Sequence, residues 1–297
     1  MVLDERILGL RAITTRLRAI PGMVVLLEGV RRYYRHHTKP VLVSDFDGSI
    51  RLELRLDEHM GSQIFWFGSY SVEILRVLDR LLAPGMVVVD AGANIGEVSL
   101  FAAKRVQPGG HVFSFEPVPE LATRLRHHVE LNGFAVVEVF ERGLADREGK
   151  ANIYTPGTPF RDGTVNDGMS TLYAGADHHT LAGSVLLTTL DAFAHERGLN
   201  RIDLLKVDVE GAELPVLRGA REVLAVHRPW VIVEVQQETS EAAGYRQGDI
   251  LTYLGDFGYR FAKIARRGRL GTITAETLGS FQNVLGIPPG KTISGLF

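Results

Sequence analysis

Glycine or polar residues alternate with apolar ones from Asp90 to Gly96, directly after three consecutive valines at 87–89. A run of valines is typical of a strand covered on both faces, and glycines let the backbone approach a ligand closely at the strand's carboxyl end. Open α/β sheets bind small molecules at that end of their strands. The segment therefore predicts a small-molecule site lined by Asp90, Gly92, Asn94 and Gly96.

The spacing of these glycines distinguishes two kinds of nucleotide ligand. A dinucleotide-binding loop requires G-x-G-x-x-G, but counted from Gly92 the second and third glycine positions hold Asn94 and Glu97. The next apolar run ends at Glu116, where an acid can accept both hydroxyls of a ribose. The pattern argues against NAD and favours an adenosine-bearing ligand without a pyrophosphate. S-adenosylmethionine (SAM) is the leading candidate.

A second charged motif, Lys206–Glu213, begins inside what should be a buried parallel strand. On a strand, Lys206, Asp208 and Glu210 point to one side, and a buried lysine needs an acidic partner. We therefore interpret Lys206 as a salt-bridge member and Glu213 as a helix-start or network residue. Asp208, near the carboxyl end of the strand, is predicted to face the same crevice as Asp90 and to have a functional role.

Methyl transfer from SAM to a hydroxyl group requires that the hydroxyl lose its proton, because the sulfonium methyl is already activated. Asp208 is the predicted general base, and His59 and the pair His178 and His179 are competing bases. Alternatively, a divalent cation lowers the pKa of the hydroxyl. Asp208 and Glu234, at the ends of two strands that we expect to be adjacent, would form an oxygen-rich half-site for Mg²⁺.

The composition excludes several other chemistries. The chain has 297 residues, of which 45% are hydrophobic and 23% charged, as in ordinary globular proteins. A net charge of -2 gives no overall attraction to nucleic acid or anionic membranes. Cysteine is absent, which excludes disulfides, thiolate metal sites and a cysteine nucleophile. No apolar run has the length of a membrane span, and Asp4 and Glu5 argue against a signal peptide, so a cytoplasmic protein is expected.

The elements that position these residues alternate between strand and helix from residue 84 onward, which predicts a parallel sheet with helices on both faces. Residues 150–185 are rich in Gly, Thr, Asp and Pro and are predicted to be an inserted loop over a substrate. The predicted strands are 87–90, 111–116, 136–142, 202–208, 230–235 and 259–264, with 281–287 closing the sheet.

Residues 1–83 are predicted to form a separate extension before a domain at 84–297. Helices interrupted at Pro21 and Gly22 precede a hairpin of strands 41–43 and 50–56. The first 40 residues carry a surplus of basic side chains, which has three interpretations: a solvated helical face, a contact for a phosphorylated or lipidic substrate, or a surface that joins subunits into a homo-oligomer.

Several motifs in order resemble the FkbM family of SAM-dependent methyltransferases over roughly residues 65–264. They are DAGANIG, FEP, Leu131–Gly133, KVDVEGAE, Leu217–Ala220 and Arg228–Glu234. The resemblance implies a class I methyltransferase fold, which is a Rossmann-like, mostly parallel sheet of seven strands with the last one antiparallel. It also implies SAM as cofactor and a hydroxyl acceptor on a small molecule, often a sugar or a polyketide-derived natural product.

The resemblance implies roles for single residues as well. Asp90, Gly92, Asn94 and Gly96 match the loop at the methionine side of SAM, and Asp208 completes the predicted SAM site. Glu116 matches the ribose acid and is followed by Pro117, and Leu144 and Ala145 lie in a turn placed beside adenine. Glu73 is close to the family's acid in a Tyr-Glu pair, although Ser71 and Val72 separate it from Tyr70. Ser170 resembles part of a small-residue patch in the family's inserted loop.

Two other functions share parts of this pattern. A nucleic-acid methyltransferase would have the same SAM site, but the motif after the fourth strand lacks the Asn/Asp-Pro-Pro-aromatic sequence suited to a flipped base. A non-catalytic module would bind SAM without producing S-adenosylhomocysteine. We therefore predict a SAM-dependent O-methyltransferase that acts on a small molecule and not on nucleic acid.

Overall fold

A computed structural model describes residues 5–17, 23–155, 162–164, 170–174 and 180–293. The contacts divide the chain into two compact units. We call residues 1–70 with 155–169 the N-terminal unit, and residues 71–154 with 170–297 the sheet unit. The division falls before the boundary at residues 83 and 84 that the sequence analysis predicts.

The described residues of the N-terminal unit form three helices and a hairpin. The hairpin strands pair antiparallel, with Phe46 opposite Ile50 around a turn in which Asp47 and Gly48 have positive φ. The predicted hairpin is therefore present, whereas the predicted interruption at Pro21 and Gly22 lies outside the described residues. The elements are α1 (Glu5–Leu17), α2 (Met23–Tyr34), β1 (Val41–Phe46), β2 (Ile50–Leu54) and α3 (His59–Phe67).

The sheet unit alternates strands and helices, as the sequence predicts. Its first elements are α4 (Val72–Leu81), β3 (Val87–Ala91), α5 (Glu97–Val106), β4 (His111–Phe115), α6 (Pro119–Asn132), β5 (Val137–Phe140), β6 (Gly143–Leu144), β7 (Gly149–Thr155) and β8 (Thr180–Thr188). They are followed by α7 (Leu190–Glu196), β9 (Leu204–Val207), α8 (Glu213–Arg218), α9 (Arg221–Val226), β10 (Trp230–Gln236), α10 (Gln237–Ala242), α11 (Gly248–Gly255), β11 (Arg260–Ala265), β12 (Arg269–Thr272) and β13 (Phe281–Ile287). Among the helices of the described residues, none is long and apolar enough to cross a membrane.

The central sheet has the strand order β12-β11-β13-β10-β9-β3-β4-β5. The five strands from β10 to β5 in this order are parallel, and β13 runs antiparallel to both β10 and β11. These strands with β11 form the predicted seven-stranded sheet. The additional edge strand β12 pairs antiparallel with β11; it was not predicted, because its four residues contain one large apolar side chain, Leu270, and give no strand pattern.

Both faces of the central sheet are covered. Val87, Val89 and Ala91 belong to one core cluster with side chains of α7, α8, α9 and α11. Val88 and Asp90 point to the opposite face, because side chains alternate along a strand, and both are fully buried. Strand β3 therefore lies in the middle of the unit, with its carboxyl end opening toward the predicted site.

Helix α4 packs with the sheet unit, although the sequence analysis assigns it to the N-terminal extension. Its apolar residues Ile74, Leu75, Val77, Leu78 and Leu81 are buried, and its contacts include α5 and β11. An amphipathic helix packs where its apolar face is covered. For α4, elements of the sheet unit cover that face.

The segment predicted to be an inserted loop is partly a second sheet. Strands β6, β8 and β7 form a three-stranded sheet in that order, and Ile153, Val185 and Leu187 form a small apolar core within it. The glycines and threonines of these strands obscure the alternating pattern that would have predicted them. Ser170 is described and partly buried, whereas His178 and His179 lie outside the described residues.

Candidate functional site

The loop after β3 fits its surroundings because two of its positions are glycines. Gly92 and Gly96 have φ values of 75° and 97°. A Cβ atom at Gly92 would lie 1.8 Å from the backbone oxygen of Asp208, and one at Gly96 would lie 2.2 Å from Cδ1 of Leu125. We call residues 92–96 the glycine loop. Its backbone is pressed against the end of β9 and against α6, a position that no larger residue can take.

Asn94 and Glu116 fix the middle of the glycine loop. Asn94 has a positive φ of 50°, and its Oδ1 accepts a hydrogen bond of 2.7 Å from the backbone N–H of Ile95. Glu116, at the end of the neighbouring strand β4, accepts 2.8 Å and 2.9 Å hydrogen bonds from the N–H groups of Asn94 and Val118. The predicted ribose acid therefore also holds the loop in place.

The carboxyl group of Glu116 is buried, with 5% of the residue exposed. Burial raises its pKa from 4.5 to about 7, although the two backbone hydrogen bonds act in the opposite direction. Near neutral pH this group is therefore poised between its protonated and ionised forms. A ligand that donates hydroxyl hydrogens to it would favour the ionised form.

The turn predicted to lie beside adenine is adjacent to Glu116 through Pro117. A Cβ atom at Gly143 would lie 3.7 Å from Cβ of Pro117. Leu144 and Ala145 are 2% and 3% exposed and pack in two apolar cores. Because these side chains are buried, the backbone of this turn is the part that can contact an adenine ring.

Lys206 is paired inside the sheet, as its position in a buried strand predicts. The strand register places it beside Asp90, and its Nζ lies 3.3 Å from Oδ1 of Asp90 and donates a 2.8 Å hydrogen bond to the carbonyl of Gly92. Ser99 donates a 2.6 Å hydrogen bond to the other oxygen of Asp90. Asp90 has no exposed surface, so its carboxylate supports Lys206 and the glycine loop from below.

The charge on Lys206 is maintained by its acidic neighbours. Burial by itself lowers the pKa of the ammonium group, but Asp90 and Asp208 raise it by more, so the net pKa lies above the ordinary value. Lys206 therefore stays protonated at physiological pH and is a structural cation rather than a general base.

Three carboxyl groups meet beside the glycine loop, at the ends of β9 and β10. Oxygens of Asp208, Glu210 and Glu234 lie within 4.8 Å of one another; we call these residues the carboxylate cluster. The side chain of Asp208 is 28% exposed and lies 3.5 Å from Nζ of Lys206. The predicted pairing of Asp208 with Glu234 is therefore geometrically present, and Glu210 is a third member that the sequence analysis did not assign to the site.

Glu210 joins the cluster because the chain turns after β9. It has a φ of 51°, a conformation uncommon for a residue with a side chain, and its carbonyl accepts a 2.6 Å hydrogen bond from Thr171. Its Oε2 atom is buried and has no hydrogen-bond partner among the described residues. Burial, and then the nearby Asp208, raises the pKa of both Glu210 and Glu234 well above the ordinary value.

Glu213 holds the turn that carries the cluster, in agreement with its predicted network role. Its Oε1 accepts 3.1 Å hydrogen bonds from the N–H groups of Val209 and Gly211. The hydroxyl of Tyr245 lies 3.1 Å from Oε2 of Glu213 and 3.0 Å from the carbonyl of Gly211. Tyr245 carries no local motif, and the sequence analysis did not find it.

Glu73 lies in the first turn of α4. The N–H of Ser71 donates a 3.0 Å hydrogen bond to Glu97 in the first turn of α5, so the start of α4 is next to the end of the glycine loop. Glu73 therefore lies in a helix that begins beside the glycine loop. A contact between Glu73 and SAM remains a prediction.

His59 belongs to the N-terminal unit and has its own acidic partner there. Its Nδ1 lies 3.3 Å from Asp162 and 3.2 Å from Oγ1 of Thr164. Asp162 also forms a 2.5 Å ion pair with Arg31. Burial lowers the pKa of His59, against the opposing effect of Asp162, so the imidazole is neutral at physiological pH. A neutral imidazole is a competent base, and the role of His59 in methyl transfer remains a prediction.

Comparison with known proteins identifies a matching domain. The family model of the methyltransferase FkbM domain matches residues 90–261. This span begins at the end of β3 and contains Glu116 and the whole carboxylate cluster. The residues that the structure gathers at the carboxyl edge of the sheet therefore all fall within the matched domain.

Three similar proteins cover different shares of the chain. Methyltransferase sdnD of Sordaria araneosa is 35% identical over 195 residues, which cover 58% of this chain and 73% of sdnD. AMB antimetabolite synthetase AmbE of Pseudomonas aeruginosa is 30% identical over 237 residues, which cover 70% of this chain but 11% of AmbE. The 2-O-methyltransferase NoeI of Sinorhizobium fredii is 29% identical over 164 residues, covering 52% of this chain and 65% of NoeI.

Proposed function

Because this chain belongs to the FkbM family of methyltransferases, we propose that it transfers a methyl group from SAM to a hydroxyl group of a small molecule. One contact carries the proposal: Gly92 packs so closely on the backbone of Asp208 that a Cβ would lie 1.8 Å from its carbonyl oxygen. The loop predicted to bind the methyl donor and the residue predicted to activate the acceptor therefore share one crevice. The name of NoeI, a 2-O-methyltransferase, supports oxygen as the acceptor atom.

The proposed donor site consists of the glycine loop, Glu116 and the backbone of the turn at 144–145. A buried carboxyl group at the end of β4 offers acceptor capacity for two ribose hydroxyls. The left-handed residues of the loop expose backbone to the methionine end of the donor. These features fit a nucleoside that has no pyrophosphate, since the loop lacks the glycine pattern that accommodates one.

Asp208 is the proposed general base. SAM supplies a methyl group on a positively charged sulfur; the C–O bond forms as the C–S bond breaks, and S-adenosylhomocysteine leaves as a neutral thioether. Asp208 accepts the hydroxyl proton, because its side chain is 28% exposed and therefore within reach of an acceptor, while Lys206 at 3.5 Å balances its negative charge. Glu210 and Glu234 are less suited to this step, since burial raises their pKa and they therefore keep their protons to higher pH than an exposed glutamate does.

The proposed acceptor is a sugar or a glycosylated natural product, a class that rests on the family membership. His59 is retained as a competing base, because it is neutral and paired with Asp162. An Mg²⁺ ion at Asp208 and Glu234 is a separate proposal, which the next subsection develops from the geometry of the cluster.

The first experiment measures thermal unfolding with SAM, S-adenosylhomocysteine, NAD and NADP. Ligands that bind the folded protein raise its apparent stability by mass action, so we expect SAM and S-adenosylhomocysteine to raise Tm and the dinucleotides to leave it unchanged. A rise with NAD or NADP instead would overturn the donor assignment.

The second experiment compares Asp208→Asn with the wild type, using a panel of glycosides as acceptors and S-adenosylhomocysteine formation as the signal. Loss of a general base should lower kcat by about 10²–10⁴-fold, a larger factor than the change in the Kd for SAM. Turnover of Asp208→Asn close to that of the wild type would remove Asp208 from this role, and His59→Gln would then be the next variant to measure. SAM binding with no S-adenosylhomocysteine formed on any acceptor would instead indicate a non-catalytic module.

A further inference from the structure

The carboxylate cluster holds more acidic groups than the structure balances with cations. Asp208, Glu210 and Glu234 bring oxygens to within 4.8 Å of one another. Lys206 lies 3.5 Å from Asp208, but its ammonium is also engaged with Asp90 at 3.3 Å and with the carbonyl of Gly92. One shared cation therefore faces three carboxyl groups besides Asp90. Close carboxylates that lack a compensating charge repel one another strongly in a partly buried site.

A second observation concerns a buried oxygen of the cluster that has no partner in the protein. The Oε2 atom of Glu210 is buried without a hydrogen-bond partner among the described residues, and none of the hydrogen bonds found in that part of the chain reaches the carboxyl group of Glu234. A buried acceptor that stays unpaired costs free energy on the order of 1–3 kcal/mol. Such groups call for an occupant that offers positive charge to several oxygens at once.

The backbone directs Glu210 into this position. A positive φ of 51° is unfavourable for a glutamate, yet the turn is held by Thr171 on its carbonyl and by Glu213 and Tyr245 on its other side. Strained backbone that is stabilised from several sides is typical of functional sites. The strain places a third carboxyl group beside two that already face each other.

The size of the cluster fits a hard cation. Oxygen ligands of one Mg²⁺ or Ca²⁺ ion lie no more than about 4–5 Å apart, and the oxygens of the cluster lie within 4.8 Å of one another, so all three residues can reach one ion. The three residues offer oxygen and no nitrogen or sulfur, which is the donor set that Mg²⁺, Mn²⁺ and Ca²⁺ prefer.

We infer that Asp208, Glu210 and Glu234 bind one divalent cation of the Mg²⁺ class, with Glu210 as the ligand that completes the site. This inference rests on the proposed function in one respect: the ion would lie where the acceptor hydroxyl binds. There it would lower the pKa of the acceptor hydroxyl, and the carboxylate oxygen of Asp208 that does not bind the ion would accept the proton.

The experiment titrates Mn²⁺ into the metal-free full chain and measures free Mn²⁺ by electron paramagnetic resonance. We expect one Mn²⁺ per wild-type chain, displaced by Mg²⁺. Glu210→Gln should weaken Mn²⁺ binding by more than about tenfold, since loss of even an outer partner of a metal has an effect of that order. The matched control is Glu238→Gln, which changes an exposed glutamate in α10 and should bind Mn²⁺ like the wild type.

Thermal unfolding in metal-free buffer provides a second measurement on the same proteins. Glu210→Gln should raise Tm, because a neutral amide replaces a buried carboxyl group whose ionisation is opposed by burial and by Asp208, and Mg²⁺ should raise Tm of the wild type but not of this variant. If Glu210→Gln does not fold, Glu234→Gln replaces it in both measurements. A wild-type chain that binds no Mn²⁺, or a Glu210→Gln chain that binds it equally well, would overturn the inference.

Methyl transfer separates this inference from the proposed function. Loss of S-adenosylhomocysteine formation in EDTA, restored by Mg²⁺, supports both. Mn²⁺ binding without any methyl transfer supports the cation site while the proposed function fails. Methyl transfer that proceeds unchanged in EDTA, with no Mn²⁺ bound, overturns the cation site and leaves the proposed function in place.

Discussion

The two halves of the carboxyl edge of the sheet differ in how completely their polar groups are paired. At the ends of β3 and β4, Oδ2 of Asp90 accepts a hydrogen bond from Ser99, Oδ1 of Asp90 is ion-paired with Lys206 without a hydrogen bond, and Glu116 accepts two backbone N–H groups. At the ends of β9 and β10, a buried oxygen of Glu210 has neither a hydrogen bond nor an ion pair among the described residues, and burial raises the pKa of Glu210 and Glu234. The carboxyl groups of the first half thus have partners within the protein, whereas the second half holds an oxygen that has none.

This difference separates pre-organisation from recognition. Groups that are fully bonded before a ligand arrives lose little entropy on binding, which suits a donor that is the same in every turnover. Groups that lack partners gain the most from a ligand that supplies them. The paired half is thus suited to the methyl donor, and the unpaired half to the acceptor with its proposed cation.

Lys206→Met tests the residue that both halves share and should have the largest effect. It leaves the buried Asp90 without its cation, so the free energy of unfolding should fall by about 3–5 kcal/mol. Urea unfolding would measure this loss. The control is Lys263→Met, at an exposed position on β11; equal losses in the two variants would mean that the pairing of the donor half contributes little.

Gly92→Ala tests the close contact between the two halves. The new Cβ would lie 1.8 Å from the carbonyl oxygen of Asp208 at a φ of 75°, so the loop must move, and we expect a loss of about 3 kcal/mol in stability with little SAM binding left. Gly244→Ala is the matched control, because its φ is 82° and no atom of the described chain lies within 4 Å of the added Cβ. It should lose about 1 kcal/mol, the strain of the left-handed backbone alone. Similar losses in both variants would contradict the proposed steric role.

Glu116 makes the donor half sensitive to pH. Its pKa is raised from 4.5 to about 7 in the folded protein, so between these values the folded state holds a proton that the unfolded state has released. Its contribution to the free energy of unfolding therefore falls as pH rises from 4.5 to 7. SAM binding should follow the opposite direction and weaken below pH 7 by up to about tenfold per pH unit, because the ribose hydroxyls need the ionised form.

Measurements of SAM affinity and urea unfolding at pH 5.5 and 8, on the wild type and on Glu116→Gln, would check both directions. The variant should bind SAM more weakly at pH 8 and lose the part of each pH dependence that comes from Glu116. Parallel pH profiles for the two proteins would remove Glu116 as their cause.

Tyr245→Phe should have the smallest effect and sharpens the description of the unpaired half. It removes a hydroxyl bonded to Glu213 and to the carbonyl of Gly211, which should lower the free energy of unfolding by about 1 kcal/mol. Because this turn carries Asp208 and Glu210, kcat should fall more than the affinity for SAM does. Tyr33→Phe, at a residue 78% exposed, is the control and should leave the free energy of unfolding and kcat unchanged.

Features determined by neighbouring residues were predictable from the sequence. The position of the glycine loop at the carboxyl end of β3 follows from the strand-turn-helix order. The pairing of Lys206 follows from the cost of a lone buried charge. The order of alternating strands and helices also predicted the parallel sheet, which the structure confirms with one extra edge strand.

Features that depend on tertiary contacts were not predictable from the sequence. The sequence analysis treated Glu210 as part of a strand, whereas the strand ends at Val207 and a positive φ turns Glu210 toward the cluster. Tyr245 reaches Glu213 across 32 positions of sequence, and Thr164 reaches His59 across 105. Neither contact has a local signal in composition or periodicity.

The packing of Gly92 on Asp208 sets a rule for engineering a new acceptor preference. Insertions or deletions between 208 and 211 would shift the carbonyl that rests on the glycine loop, and an altered acceptor range would come at the expense of the donor. Side-chain substitutions outside this turn and outside the carboxylate cluster avoid this coupling, because they leave the backbone of Asp208 and the three carboxyl groups in place. Directed evolution would therefore start with such substitutions and keep the length of the turn fixed.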